Sequence, residues 1–329
     1  MIATFEKQTL HTSGGDLAFA EAGAPDAPAL LLLHGFPMSS FEWRDLLPLF
    51  ASRFRVIAPD LLGSGDSSKS EATLHMQAQA GYMRELLGAI GVERFAVVGH
   101  GGGGGVAQLL ALDGAGVDAM ILLDSGGLDG HALQDRRELR LGISDGDADG
   151  PLPLADLAEV FDLGMRRRER LTEDALTEYL RPFSAAGGAT AFLRLAGSLG
   201  AVGLAGREEE LARIDAPVLI LWGEDDPFLP VASAELLNDS IPSSSLGLLP
   251  GCGHFLVEEA GETIGPMIHE YLRARYLRAP HDHDRPGAVP IQLGRGSPWT
   301  DLEEDEKDDW FDVDDDETKE GAKEGETST

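Results

Sequence analysis

Cysteine occurs once in 329 residues, at Cys252. A single thiol cannot close an intramolecular disulfide, and no Cys/His cluster has the spacing of a zinc site, so disulfide-stapled and zinc-organised folds are excluded. Lysine is nearly as scarce, confined to Lys7, Lys69, Lys307, Lys319 and Lys323. Arginine carries most of the positive charge, and 26 Lys+Arg stand against 57 Asp+Glu for a net −31. A chain this acidic is repelled by nucleic acid and by anionic membranes, which removes both from the expected partners. No apolar run approaches the roughly 20 residues that would span a bilayer. The first twelve residues include Glu6 and Lys7 and lack the apolar stretch of a secretory signal. The expectation is a cytoplasmic protein that needs no metal and no other cofactor.

What is present suffices for a core: 43% of residues are hydrophobic, punctuated by 41 Gly and 18 Pro. The length suits two ordinary domains or one large α/β domain with an insertion. Composition changes near residue 279. Residues 279–329 hold 17 acidic and 5 basic side chains, including Asp301, Glu303, Glu304, Asp305 and Glu306 and the run 314–317. Like charge at this density cannot collapse, so a disordered acidic tail is expected. Trp299, Trp310 and Phe311 among these acids form either a short docking motif for a protein partner or part of a solubility tail.

Upstream, apolar runs at 29–33, 54–58, 95–98, 120–123 and 218–222 read as buried strands bounded by Gly, Pro or Asp. Between the second and third, 73–90 places Met83, Leu86, Leu87 and Ile90 at helical spacing. Continuous apolar strands separated by amphipathic helices imply an α/β fold with a mostly parallel sheet covered on both faces. Residues 16–21 alternate and predict an antiparallel strand at the start of the sheet. From about 128 to 214 the strand rhythm stops. Thr172 caps Glu173-Asp174 there, and Phe161, Met165, Phe183, Phe192 and Leu195 fall on helical patterns. That stretch is too long for a loop and predicts a helical insertion over the carboxyl edge of the sheet, where open α/β folds bind ligands. The division is therefore 1–127 with 215–278 as the core, 128–214 as a helical cap and 279–329 as the tail.

Chemistry-bearing segments follow the strands in order. They are His34-Gly35-Phe36-Pro37, then Pro59-Asp60-Leu61-Leu62-Gly63-Ser64-Gly65-Asp66, then Gly99-His100-Gly101-Gly102-Gly103-Gly104-Gly105. Trp222-Gly223-Glu224-Asp225-Asp226-Pro227 and Gly251-Cys252-Gly253-His254-Phe255 come later. With these five segments the chain resembles the α/β-hydrolase fold family over nearly all of residues 1–278, closest to the branch of epoxide hydrolases and haloalkane dehalogenases. The resemblance implies that His254 is the general base, that Asp226 orients it, and that the N–H groups of Phe36 and Gly102 form an oxyanion hole. It also implies a nucleophile, Ser or Asp and rarely Cys, in the middle of the strand-to-helix elbow. That position is Gly101. A glycine has no atom with which to attack, so covalent catalysis is excluded there. The turn itself should persist, because glycine enters positive φ freely.

Substitutes lie nearby. Asp124 ends the next strand, where some dehalogenases place their acid, and Ser125 beside it is a candidate relocated nucleophile; the plain alternative for both is a strand-ending cap. His100 is either a replacement nucleophile or, as the resemblance implies, a side chain turned away from substrate. Trp43 and Phe36, with Phe41, line a substrate pocket or pack a helix on the sheet. Asp60 is expected to fix its loop by hydrogen bonds, Cys252 to fill a small buried space, and Gly103 and Gly104 to permit close helix–strand packing. Tyr179 is a lone cap tyrosine, which speaks against an epoxide hydrolase. Two classes remain open. One is a hydrolase-like protein acting on a small apolar ester, epoxide or halide in a cap pocket, with covalent hydrolysis lost and slow water attack or lyase-like base chemistry by His254 and Asp226 retained. The other is a non-catalytic ligand-binding or scaffold protein.

Overall fold

The computed structural model describes residues 6–69, 72–125, 150–198, 204 and 207–277. All lie in the first of two compact units, Met1–Ile291 and Gln292–Thr329; the expected acidic tail falls outside the described residues. Eight strands, β1 (Lys7–Thr12), β2 (Gly15–Ala22), β3 (Ala29–Leu33), β4 (Arg55–Pro59), β5 (Phe95–His100), β6 (Val117–Leu123), β7 (Val218–Gly223) and β8 (Ser244–Leu249), form one sheet in the order β1-β2-β4-β3-β5-β6-β7-β8. β2 pairs antiparallel with β1 and β4, and every pairing from β4 to β8 is parallel.

The central strands are apolar throughout because both their faces are covered: every residue of β3, β5 and β7 is buried. Helices α1 (Leu47–Ala51), α2 (Met76–Ala89) and α3 (Gly102–Leu112) supply the crossovers before β6. In α2 the His75 ring accepts the Ala78 N–H at 3.1 Å, and Met76, Ala80, Met83 and Leu87 bury one stripe. Between β6 and β7 the described residues contain α4 (Leu154–Gly164), α5 (Glu173–Leu180), α6 (Gly188–Ser198) and α7 (Glu208–Leu211). Thr172 Oγ1 caps α5 by accepting Ala175 N–H at 3.2 Å, and Glu173 and Asp174 complement the positive end of that helix. Phe161, Phe183, Phe192 and Leu195 are all buried. Residues 126–149, the start of the expected insertion, fall outside the described residues. After β7 come α8 (Val231–Ser240), β8 and α9 (Leu256–Leu272). No helix among the described residues is long and apolar enough to cross a membrane.

Strands β1 and β8 were absent from the sequence reading because both are edge strands with mixed burial. β1 buries only Thr12 fully, and β8 only Gly247 and Leu249. Neither presents the continuous apolar run that marks the centre of this sheet.

Candidate active site

Sheet geometry gathers the carboxyl ends of β3, β5, β6 and β7 at one edge, and the motif residues follow those ends. Asp226 lies just past β7, its Oδ1 accepting the N–H groups of Phe228 at 2.7 Å and Leu229 at 3.0 Å. Those two donors leave Oδ2 to meet His254 Nδ1 at 2.8 Å. A carboxylate only accepts, so Nδ1 carries the proton of this hydrogen bond, and in a neutral ring Nε2 is then the nitrogen left to accept. His254 sits between β8 and α9, its own N–H donating to Gly164 O at 2.8 Å. The side chains of Asp226 and His254 are 0% and 9% exposed, so their interaction is little screened by water.

Gly101 turns the chain from β5 into α3 with φ +52° and ψ −119°. A residue with a side chain holds such a conformation at a cost of about 1–3 kcal/mol; glycine does so freely. A Cβ placed there would lie 3.5 Å from Gly35 Cα and 3.6 Å from His254 Nε2, ordinary contact distances. Position 101 therefore faces Nε2 of His254. Gly102 opens α3 beside it, and the Gly35-Phe36 turn borders the same spot. Neighbouring glycines answer a different need. A Cβ at Gly103 would stand 2.4 Å from Leu33 O, and one at Gly104 would stand 2.1 Å from Ser125 Oγ. Both permit α3 to lie against the strands, as expected from the sequence.

The other candidates divide. Asp124 is fully buried at φ +39°, and its Oδ1 accepts Gly223 N–H at 2.8 Å, while the imidazole is paired with Asp226. Burial, then the neighbouring Asp226 charge, push its carboxyl well above the usual range. Ser125 Oγ accepts from Gln108 Nε2 at 2.9 Å on the flank of α3. Phe36 is half-buried and its ring centroid stands 4.9 Å from that of Phe192 in α6. Trp43 is completely buried. Trp222 is core, its indole N–H held by Leu229 O at 3.0 Å. Cys252 is buried, and burial pushes its thiol up to about 11, which makes it a poor nucleophile. Tyr179 donates to Glu258 Oε1 at 2.5 Å, and Arg44 reaches the same carboxylate at 2.6 and 2.8 Å. Asp60 fixes its loop, accepting from Ser40 N at 2.8 Å, Asp66 N at 2.7 Å and Lys7 Nζ at 2.7 Å.

Three buried glutamates escaped the sequence reading: Glu258, which holds Tyr179 and Arg44, and Glu259 and Glu42. Glu259 takes Gly253 N–H at 3.0 Å on Oε1, and Arg166 N–H at 2.8 Å and Arg167 N–H at 2.9 Å on Oε2. It thereby joins the loop of the base to the segment after α4. Its signal was phase: Leu256, Glu259, Ala260 and Ile264 share the buried stripe of α9. Glu42 lies in the 3-10 turn Ser40–Trp43, buried on every residue, where a charge between Phe41 and Trp43 was the only hint. Among the described residues no three His, Cys, Asp or Glu side chains converge as a metal site would require.

The chain matches the family model described as alpha/beta hydrolase fold over residues 28–261. An uncharacterized protein of Mycobacterium tuberculosis is 35% identical over 305 residues, covering 83% of this chain and 86% of its own. A soluble epoxide hydrolase of Corynebacterium is 45% identical over 84 residues, covering 26% of this chain and 29% of its own. Among solved structures, a membrane phospholipase A described as a bacterial virulence factor is similar at a TM-score of 0.72 and 26% identity, covering 83% of this chain and 87% of that one.

Proposed function

The chain belongs to the α/β-hydrolase fold family, and on that premise we propose that it retains the base of a hydrolase site without the attacking side chain. His254, oriented by Asp226, activates a water molecule or removes a substrate proton, and no covalent enzyme intermediate forms. One observation carries this reading: position 101 bears no side chain, and the space its Cβ would fill opens within 3.6 Å of His254 Nε2. A water bound there loses a proton to Nε2 as its oxygen bonds to a carbonyl carbon. The N–H groups of Phe36 and Gly102 then hold the resulting oxyanion. Collapse expels the leaving alkoxide, which takes the proton back from His254.

Apolar rings support a small apolar ester as substrate. Phe36 meets Phe192 of the cap, and the Phe228 ring stands 5.2 Å from the His254 ring. Loss of one triad member in an enzyme of another fold leaves about 10³–10⁴-fold acceleration over water, and turnover of that order is expected here. The test is hydrolysis of a panel of short-chain aryl esters by the native protein and by His254→Ala. Slow native turnover abolished by His254→Ala supports base catalysis. Turnover indifferent to His254 overturns it in favour of a non-catalytic ligand-binding protein.

A further inference from the structure

The side chains of Glu42 and His100 are both fully buried. Glu42 Oε2 accepts Gly35 N–H at 3.1 Å, and Oε1 lies 2.6 Å from His100 Nδ1. The opposite ring nitrogen, Nε2, lies 2.8 Å from the carbonyl oxygen of His254. A carbonyl oxygen only accepts, so Nε2 carries a proton. Glu42 Oε1 stands at ion-pair distance from Nδ1, off the line of a hydrogen bond, and an ionised carboxylate this near favours a proton on Nδ1 as well. An accepting carbonyl at one ring nitrogen and a buried carboxylate beside the other favour an imidazolium. Burial alone lowers the pKa of His100, but the charge of Glu42, aided by the His254 carbonyl, outweighs it and the balance is upward.

The pair touches three segments of the site at once. Glu42 holds the amide of Gly35, the residue before Phe36. His100 immediately precedes Gly101, and its ring anchors the backbone of His254 itself. The approach is close enough to exclude a side chain at Gly35, where a Cβ would stand 2.6 Å from His100 Nδ1. We propose that Glu42 is a positioning residue that holds His100 as a buried imidazolium and so fixes the Phe36 turn, the Gly101 elbow and the His254 loop in mutual register. A buried ion pair suits this task because its attraction is little screened by water. The loop register follows from the geometry of the pair; its consequence for turnover rests on the base reading above.

Glu42→Gln separates these roles. The Gln carbonyl still accepts Gly35 N–H, and its amide N–H donates to Nδ1 of a neutral His100, so the fold is retained and only the charge is lost. Nitrogen-15 NMR of histidine-labelled protein reads the outcome directly. The native His100 ring is expected to show two protonated nitrogens, and the Glu42→Gln ring to show one, on Nε2. In the variant the downfield proton of the His254–Asp226 hydrogen bond shifts, and kcat falls about 10–100-fold with KM little changed, the scale of a small misplacement of reacting groups. A neutral His100 ring in the native protein overturns the proposal whether or not any variant folds. So does an unshifted His254 proton in a folded Glu42→Gln protein, which would make the pair a stabilising contact alone. Both NMR readouts stand if the native protein turns over no ester, in which case the base reading fails and this one is still decided.

Discussion

Gly101 and His254 face each other across the width of one side chain, with the Cβ position of the first 3.6 Å from Nε2 of the second. A serine at 101 would place its hydroxyl within reach of a base already in the correct tautomer. Gly101→Ser should therefore become labelled once per chain by an aryl phosphonate, while the native protein stays unlabelled at that position. Adding His254→Ala should slow the labelling by about 10²-fold or more. The φ of +52° makes the serine cost about 1–3 kcal/mol, so the variant should also melt several degrees lower. Intact-mass spectrometry reads the adduct, and an unlabelled Gly101→Ser would show that position 101 is not the site of attack.

Glu259 satisfies three backbone N–H groups with two oxygens, one set in the His254 loop and the other after α4. Glu259→Ala leaves all three without this acceptor, at about 1–3 kcal/mol for the buried Gly253 N–H and less for the part-buried Arg166 and Arg167 groups. A total loss of about 2–3 kcal/mol is expected from urea denaturation, with ester turnover lost alongside it. Glu259→Gln keeps one acceptor oxygen and turns an amide donor toward the other N–H groups, so it should fall between the two. Equal midpoints for native and Glu259→Ala would remove the residue from this role.

The fold was legible where burial is two-sided and illegible where it is not. Ala29-Leu30-Leu31-Leu32-Leu33 can only be a central strand or a buried helix segment, and its length and flanks decide between them; β3 occupies those five residues. β8, with Ser244, Ser245 and an exposed Leu248, offers no such run. The same asymmetry governs the site. Asp226 and His254 could be read because their segments fall in the order of the family the chain resembles, and the structure brings them to 2.8 Å. Glu42 and Glu259 were harder, because helical phase and aromatic neighbours hint at burial but not at what a carboxylate would hold there; their partners are amides and a ring, most of them supplied from distant segments. Asp124 and Ser125 were drawn in by their place at the end of β6, and their hydrogen bonds run to Gly223 and Gln108, which only the folded sheet reveals.

Glycine serves opposite purposes at two helical positions, and alanine should separate them. Gly81 lies inside α2 with nothing within 4 Å of a Cβ, so Gly81→Ala should stabilise by about 0.5–1 kcal/mol through helix propensity. Gly103 lies in α3 with Leu33 O only 2.4 Å from a Cβ. Because that neighbour is backbone, Gly103→Ala must push α3 off the sheet, at about 1–3 kcal/mol or more. Thermal melts of the two variants should move in opposite directions. A Gly103→Ala protein as stable as the native one would mean that α3 packs less closely than described.

Asp124 supplies the pH prediction. Its carboxyl is raised well above the usual range by burial and by the charge of Asp226, whereas in the unfolded chain it titrates near 3.9. The folded state therefore binds this proton more tightly, and its stabilising contribution is present at pH values below about 3.9 and lost as pH rises toward the folded value. Asp124→Asn keeps an oxygen for the Gly223 N–H, tolerates the left-handed φ of +39° and has no charge to bury. The variant should accordingly exceed the native protein in stability at neutral pH, by a margin that widens as pH is raised from 4. Urea midpoints compared across that range check the sign: a margin that stays flat with pH would mean that Asp124 titrates alike in the folded and unfolded chains.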